Sequence, residues 1–109
     1  MPKKFAVHIL PRANQNLKDI IYYIAINRES IFNAERVQSA IMKRIMNLTI
    51  FPEGNPLVPE EPFLSNSVRM VHVKHYTIYY IVDTKSTTVY IIGISHARRS
   101  RDFLLKDAN

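Results

Sequence analysis

The residues of this chain best suited to chemistry are Arg69, His72, Lys74, His75, His96, Arg98 and Arg99, a set of imidazoles and fixed cations confined to its C-terminal half. Gathered on one face, they would suit metal-free RNA cleavage. In that reaction a base takes the 2′-hydroxyl proton, cations stabilise the charged phosphorane, and an acid protonates the leaving oxygen. Imidazole serves both proton steps near neutral pH. Histidines along a strand are also common as edge or partly buried structural residues, so residue type alone does not define a catalytic site.

Other chemistries lack their parts. His8, His72, His75 and His96 fall on separate predicted elements, and neither a helical histidine pair nor a carboxylate cluster completes a ligand set, so no metal is expected. The absence of cysteine excludes disulfides, thiolate nucleophiles and thiolate metal sites. No serine stands in a strand-to-helix elbow, and Gly54 and Gly93 alone cannot make a glycine-rich phosphate loop. No cofactor is expected.

Charge is most concentrated where the run Val89 to Ile94 passes directly into Ser95-His96-Ala97-Arg98-Arg99-Ser100-Arg101. A cationic cluster held by a strand end has a fixed address, and its guanidinium groups can grip phosphate or carboxylate in bidentate fashion. The same composition also describes a solvated terminus. Tyr76, Tyr79, Tyr80 and Tyr90 have a similar double reading: they would stack on bases, but aromatic residues in β-rich runs mainly pack, which favours the core. Tyr22 and Tyr23 suit a partner interface or the flank of a helix stripe.

These groups must be positioned by a single domain spanning residues 1–109, long enough to bury a core without staples. The chain is 47% hydrophobic and 22% charged, an ordinary globular composition that excludes extensive disorder. Its formal net charge of +6 favours polyanions or an acidic protein partner. Apolar runs are too short to cross a bilayer, so no membrane association is expected. The start, Met1-Pro2-Lys3-Lys4, leads into a strand-like run and not a signal-peptide core, which with the missing cysteines points to the cytoplasm.

Phe5 to Leu10 reads as a short strand, and Pro11 fits the first turn of a following helix, where no N–H is needed. Leu17, Ile20, Ile21 and Ile24 recur at helical spacing up to a stop at Asn27. Ser30 is the predicted cap of a second helix with Ala34, Val37, Ile41, Ile45 and Leu48 inward, so the two helices should form an antiparallel hairpin. Pro52, Gly54, Pro56, Pro59 and Pro62 mark an irregular connection. The runs Val68 to Val73, Tyr76 to Val82 and Val89 to Ile94 then predict an antiparallel meander whose middle strand is apolar on both faces. The order β-α-α-β-β-β defines an α+β fold, an antiparallel sheet against a helical hairpin. A short last helix is expected within Asp102 to Asp107, and the place of the first strand is open.

This order, with Leu17-Lys18-Asp19-Ile20 before Tyr23-Ile24-Ala25, then Pro52-Glu53-Gly54, Val68-Arg69, Tyr76-Thr77-Ile78-Tyr79-Tyr80-Ile81-Val82-Asp83 and Ile94-Ser95-His96-Ala97-Arg98-Arg99, resembles the RelE/ParE superfamily of bacterial toxins. The likeness covers nearly the whole chain and is closest to the ParE branch, where the final strand commonly ends in a His-x-Arg-Arg-like signature. It implies a type II toxin neutralised by a cognate antitoxin, a short acidic protein with a DNA-binding N-terminal half. It further implies a ParE-like poison of DNA gyrase that hydrolyses nothing itself. Arg69, Lys74, Tyr79, His96, Arg98, Arg99 and Arg101 are then the candidate surface for target or antitoxin. The RelE-like alternative is a ribosome-dependent mRNA endonuclease using Lys74, His75, His96, Arg98 and Arg99. Some members of that branch carry a C-terminal tyrosine where this chain has Phe103, which lacks a hydroxyl to transfer a proton. A second alternative is a non-toxic module that only binds antitoxin.

Overall fold

The computed structural model describes residues 3–27 and 29–106. Strand β1 (Ala6–Ile9) is followed by helices α1 (Pro11–Asn27) and α2 (Ile31–Met46) and by strands β2 (Arg69–Val73), β3 (Tyr76–Asp83) and β4 (Thr88–His96). Short 3₁₀ turns lie at Asn47–Thr49, Pro52–Gly54 and Arg101–Leu105, the last overlapping the helix expected over Asp102 to Asp107, whose final residue lies outside the described residues. Pro11 opens α1 as its missing N–H allows. The Ser30 hydroxyl caps α2 by accepting from the Asn33 N–H at 3.1 Å.

The sheet order is β1-β4-β3-β2. The meander β2-β3-β4 is antiparallel as expected, but β1 joins beside β4 in parallel, so the sheet as a whole is mixed. The helical hairpin makes this possible, because a parallel neighbour needs a long crossover and not a tight turn. Where β1 ends, α1 takes over its hydrogen bonding. The Leu10 N–H donates to the Ile91 carbonyl at 3.0 Å, Arg12 Nε donates to the Ile92 carbonyl at 3.0 Å, and the Ile94 N–H donates to Asn16 Oδ1 at 3.1 Å. The edge of β4 that β1 leaves uncovered is thus satisfied by the Leu10 backbone and by the Arg12 and Asn16 side chains of the next helix.

Two apolar layers enclose β3. Against the hairpin lie Ile78 and Tyr80 with Leu17, Ile41, Ile45, Leu48, Ile91 and Ile94. On the opposite face Tyr79 packs with Val58, Phe63, Val68 and Phe103, so the proline-rich connection and the C-terminal 3₁₀ turn form the second cover. Gly93 permits that cover. A Cβ there would stand 2.5 Å from Leu104 Cδ2 and 3.0 Å from the Phe103 ring.

Candidate functional site

The β2–β3 connection is a two-residue turn, Lys74-His75, because Val73 pairs with Tyr76. Lys74 adopts a left-handed φ of 52°, and this tight reversal leaves both side chains exposed at the tip. Tyr76 pairs with His96 at the end of β4, so the turn lies beside the strand end that carries the basic run. The join is tied by the Ala97 N–H, which donates to the His75 carbonyl at 2.8 Å. The His75 and His96 rings are nearly parallel, 9° apart in plane with centroids 6.3 Å apart, and Tyr76 meets His96 edge-on at 5.7 Å.

A cleft of about 690 Å³ opens between these strand ends and the helical hairpin. Lys74, His75, His96 and Arg99 line it from the sheet; Asp19 and Tyr23 from α1, and Asn33 and Arg36 from α2, line it from the hairpin. Four exposed basic or imidazole groups of the sheet therefore face a fifth, Arg36, with Asp19 as the lining carboxylate. Among the described residues, Lys74, Arg36 and Arg99 form no ion pair; Arg36 and Arg99 lie over the Phe32 and Phe103 rings at 5.7 and 4.5 Å. Cations packed on aromatic faces keep their hydrogen-bonding edges available to an incoming anion.

The proton on His96 is placed by its neighbour. The Arg98 N–H donates to His96 Nδ1 at 3.1 Å, so Nδ1 is an acceptor and a neutral ring carries its proton on Nε2. His96 is thereby set up to donate. His72 is occupied elsewhere: its Nδ1 lies 2.9 Å from the hydroxyl of buried Thr77.

Three of the candidate binding residues lie outside the cleft and are held by contacts within the fold. Arg69 Nη1 donates to the carbonyls of Glu53 and Asn55 at 3.1 and 2.7 Å, tying the proline-rich connection to the edge strand. Tyr79 is only 2% exposed, and its ring meets Phe103 edge-on at 6.1 Å, because alternation on β3 turns it into the second core. Arg101 pairs with the Glu60 carboxylate, which holds its guanidinium even more firmly protonated than usual. Arg98 is exposed but does not line the cleft, whereas Lys74, His96 and Arg99 come together in it. Asp19, Asn33 and Arg36 were not among the expected site residues. They lie on the outer faces of amphipathic helices, where nothing local separates a cleft residue from a solvated one.

A second polar network, away from the cleft, ties the proline-rich connection to β3 and α2. The Tyr80 hydroxyl donates to the Pro52 carbonyl at 2.6 Å and accepts from Asn55 Nδ2 at 3.0 Å, while Arg44 Nη2 donates to Asn55 Oδ1 at 3.3 Å. Burial pushes the Tyr80 phenol above its usual range, outweighing the opposing pull of Asn55, Arg69 and Arg44.

This mixed sheet laid against a helical hairpin is a fold shared with chains of solved toxin–antitoxin systems. The chain is similar to a chain of the toxin–antitoxin complex RelBE2 from Mycobacterium tuberculosis, with a TM-score of 0.64 and 17% identity over 85% of this chain and 98% of that one. It is likewise similar to a chain of a chromosomal ParDE toxin–antitoxin system from P. aeruginosa, with a TM-score of 0.67 and 15% identity over 86% and 97%. No curated protein matches it in sequence. The family model for the ParE toxin of the type II toxin–antitoxin system parDE matches residues 7–101, and the chain belongs to that family.

Proposed function

We propose that this toxin acts by binding, with DNA gyrase as its target, and that an acidic antitoxin segment silences it by occupying the cleft between the hairpin and the strand ends. The observation that carries the first half is Phe103. It is 7% exposed, packed beneath Arg99 and against Tyr79, and has no hydroxyl with which to protonate a leaving group. Membership of the ParE family supports the same reading. For the second half, the cleft cations, which form no ion pair among the described residues, and the exposed Tyr23 ring suit an amphipathic acidic chain that orders on binding.

A supercoiling assay with purified toxin and gyrase tests the target. Inhibition or accumulated cleaved DNA is expected, and unaltered gyrase at saturating toxin overturns the reading. The geometry of His75 and His96, parallel rings with a donor Nε2 beside Lys74 and Arg99, is the observation that favours mRNA cleavage instead. Codon-linked cuts in a translating message, lost in a folded Arg99→Ala variant, would establish that alternative.

A further inference from the structure

At the end of α2 remote from the cleft, roughly 22 Å along the helix from Ile31, the chain displays Phe51 to solvent. The residue has φ 53° and ψ 49°, the left-handed conformation that bulky side chains adopt only at a steric cost, and it is 80% exposed. Burial does not account for either property. The backbone on both sides is pinned: the Phe5 N–H donates to the Thr49 carbonyl at 2.8 Å, the Gly54 N–H to the Phe51 carbonyl at 3.0 Å, and the Tyr80 hydroxyl to the Pro52 carbonyl at 2.6 Å. The ring is therefore presented from a rigid base. Ile50, which precedes it in the chain, and Met46, the last residue of α2, are 48% and 53% exposed.

Basic residues flank this apolar knob. Lys43 lies one helical turn before Met46, and Lys4 bridges to Ile50; both are exposed. Glu53 is the neighbouring carboxylate two residues away. The charge favours an acidic partner and opposes a second copy of the chain. Shape narrows the partner further. A disordered antitoxin tail brings its own side chains to a groove, whereas a convex, preorganised ring needs a concave pocket, which only a folded partner has.

We infer that Phe51 is an anchor by which the toxin seats itself in an apolar pocket, rimmed by carboxylates, on its folded target protein. This rests on the reading that the toxin acts by binding, but not on the identity of that target.

The test expresses the full chain, Phe51→Gly, Phe51→Asn, Phe51→Tyr and Lys43→Glu at matched soluble levels without antitoxin, and measures growth arrest. The purified proteins are compared in thermal unfolding and in capture of the antitoxin encoded by the neighbouring reading frame. Glycine and asparagine suit a left-handed φ, so these two variants should unfold within a few degrees of the native chain and still bind antitoxin. They should need at least about tenfold more protein to arrest growth, as for loss of an aromatic hot spot. Phe51→Tyr should keep full potency, and Lys43→Glu should lose part of it.

Undiminished toxicity of folded Phe51→Gly or Phe51→Asn overturns the inference. So does a loss of antitoxin capture with toxicity intact, which would give the knob to the antitoxin. If the native chain arrests growth but leaves gyrase unaffected, the target reading falls and the Phe51 comparison still decides this one. A native chain that arrests no growth overturns both.

Discussion

The backbone N–H of Arg98 donates to Nδ1 of His96 at 3.1 Å, so one turn of chain sets both the direction of the basic run and the hydrogen-bonding sense of the imidazole in the cleft. Asparagine offers an acceptor at nearly the same position. His96→Asn should therefore keep the turn, while His96→Leu should lose the bond and about 1 kcal/mol of stability, a fall of about 4 °C in thermal midpoint. Equal midpoints for the two variants would show that the bond contributes nothing.

Lys74 in the β2–β3 turn and Arg99 just after β4 both face the cleft and form no ion pair among the described residues. Under the proposed antitoxin docking, Lys74→Ala and Arg99→Ala should each weaken antitoxin binding about tenfold at low salt, and by less at high salt as screening shortens the reach of the lost charge. Titration calorimetry at two ionic strengths checks this. An unchanged salt dependence would place the antitoxin elsewhere.

Arg12 joins the start of α1 to the C-terminal 3₁₀ turn and Lys106. Besides Ile92, it donates from Nη1 to the carbonyls of Leu104 and Lys106 at 3.1 and 2.8 Å. Arg12→Lys keeps the charge but cannot span these acceptors, so both Arg12→Lys and Arg12→Ala should loosen residues 101–106, seen as faster amide exchange there than in β3. Protection retained in Arg12→Lys would show that charge alone is enough.

Gly93 makes a complementary prediction on the same cover. Gly93→Ala places its methyl against Leu104 and Phe103 and should destabilise by about 1–3 kcal/mol, whereas Leu104→Ala in the same molecule should recover part of that loss. Denaturant unfolding of the single and double variants measures the coupling, and strict additivity would refute the clash.

Tyr80 gives a pH dependence of definite sign. Its folded phenol is raised above the ordinary value near 10, mainly by burial, so the folded chain holds that proton more tightly than the unfolded one. The stabilisation is fully present below the unfolded value and is lost as pH rises through the folded one. Stability should decline in that alkaline window, and Tyr80→Phe, less stable at neutral pH for want of its bonds to Pro52 and Asn55, should decline less steeply. Parallel alkaline slopes would remove Tyr80 from the account.

The periodicity of Leu17 and Ile24, Ala34, Ile41 and Ile45, the cap at Ser30, the proline at the mouth of α1 and the doubly apolar run of β3 are local properties, set by turn geometry and side-chain spacing, and all were legible in the chain itself. So was the cationic strand end, because Lys74, His96 and Arg99 follow directly from where their strands stop. Tertiary structure decided the rest. That β1 lies parallel to β4 depends on where the hairpin crosses the sheet, which no local pattern records. Arg69, Tyr79 and Arg101 have the same residue types as the cleft cations and surface aromatics, yet Arg69 ties down a loop, Tyr79 fills the second core, and Arg101 pairs with Glu60. Residue type sets what a side chain is able to bind; only packing determines whether its edge faces a neighbour or a partner. Arg36 shows the converse, an ordinary exposed helix residue that comes to line the cleft only because the hairpin is laid against the sheet.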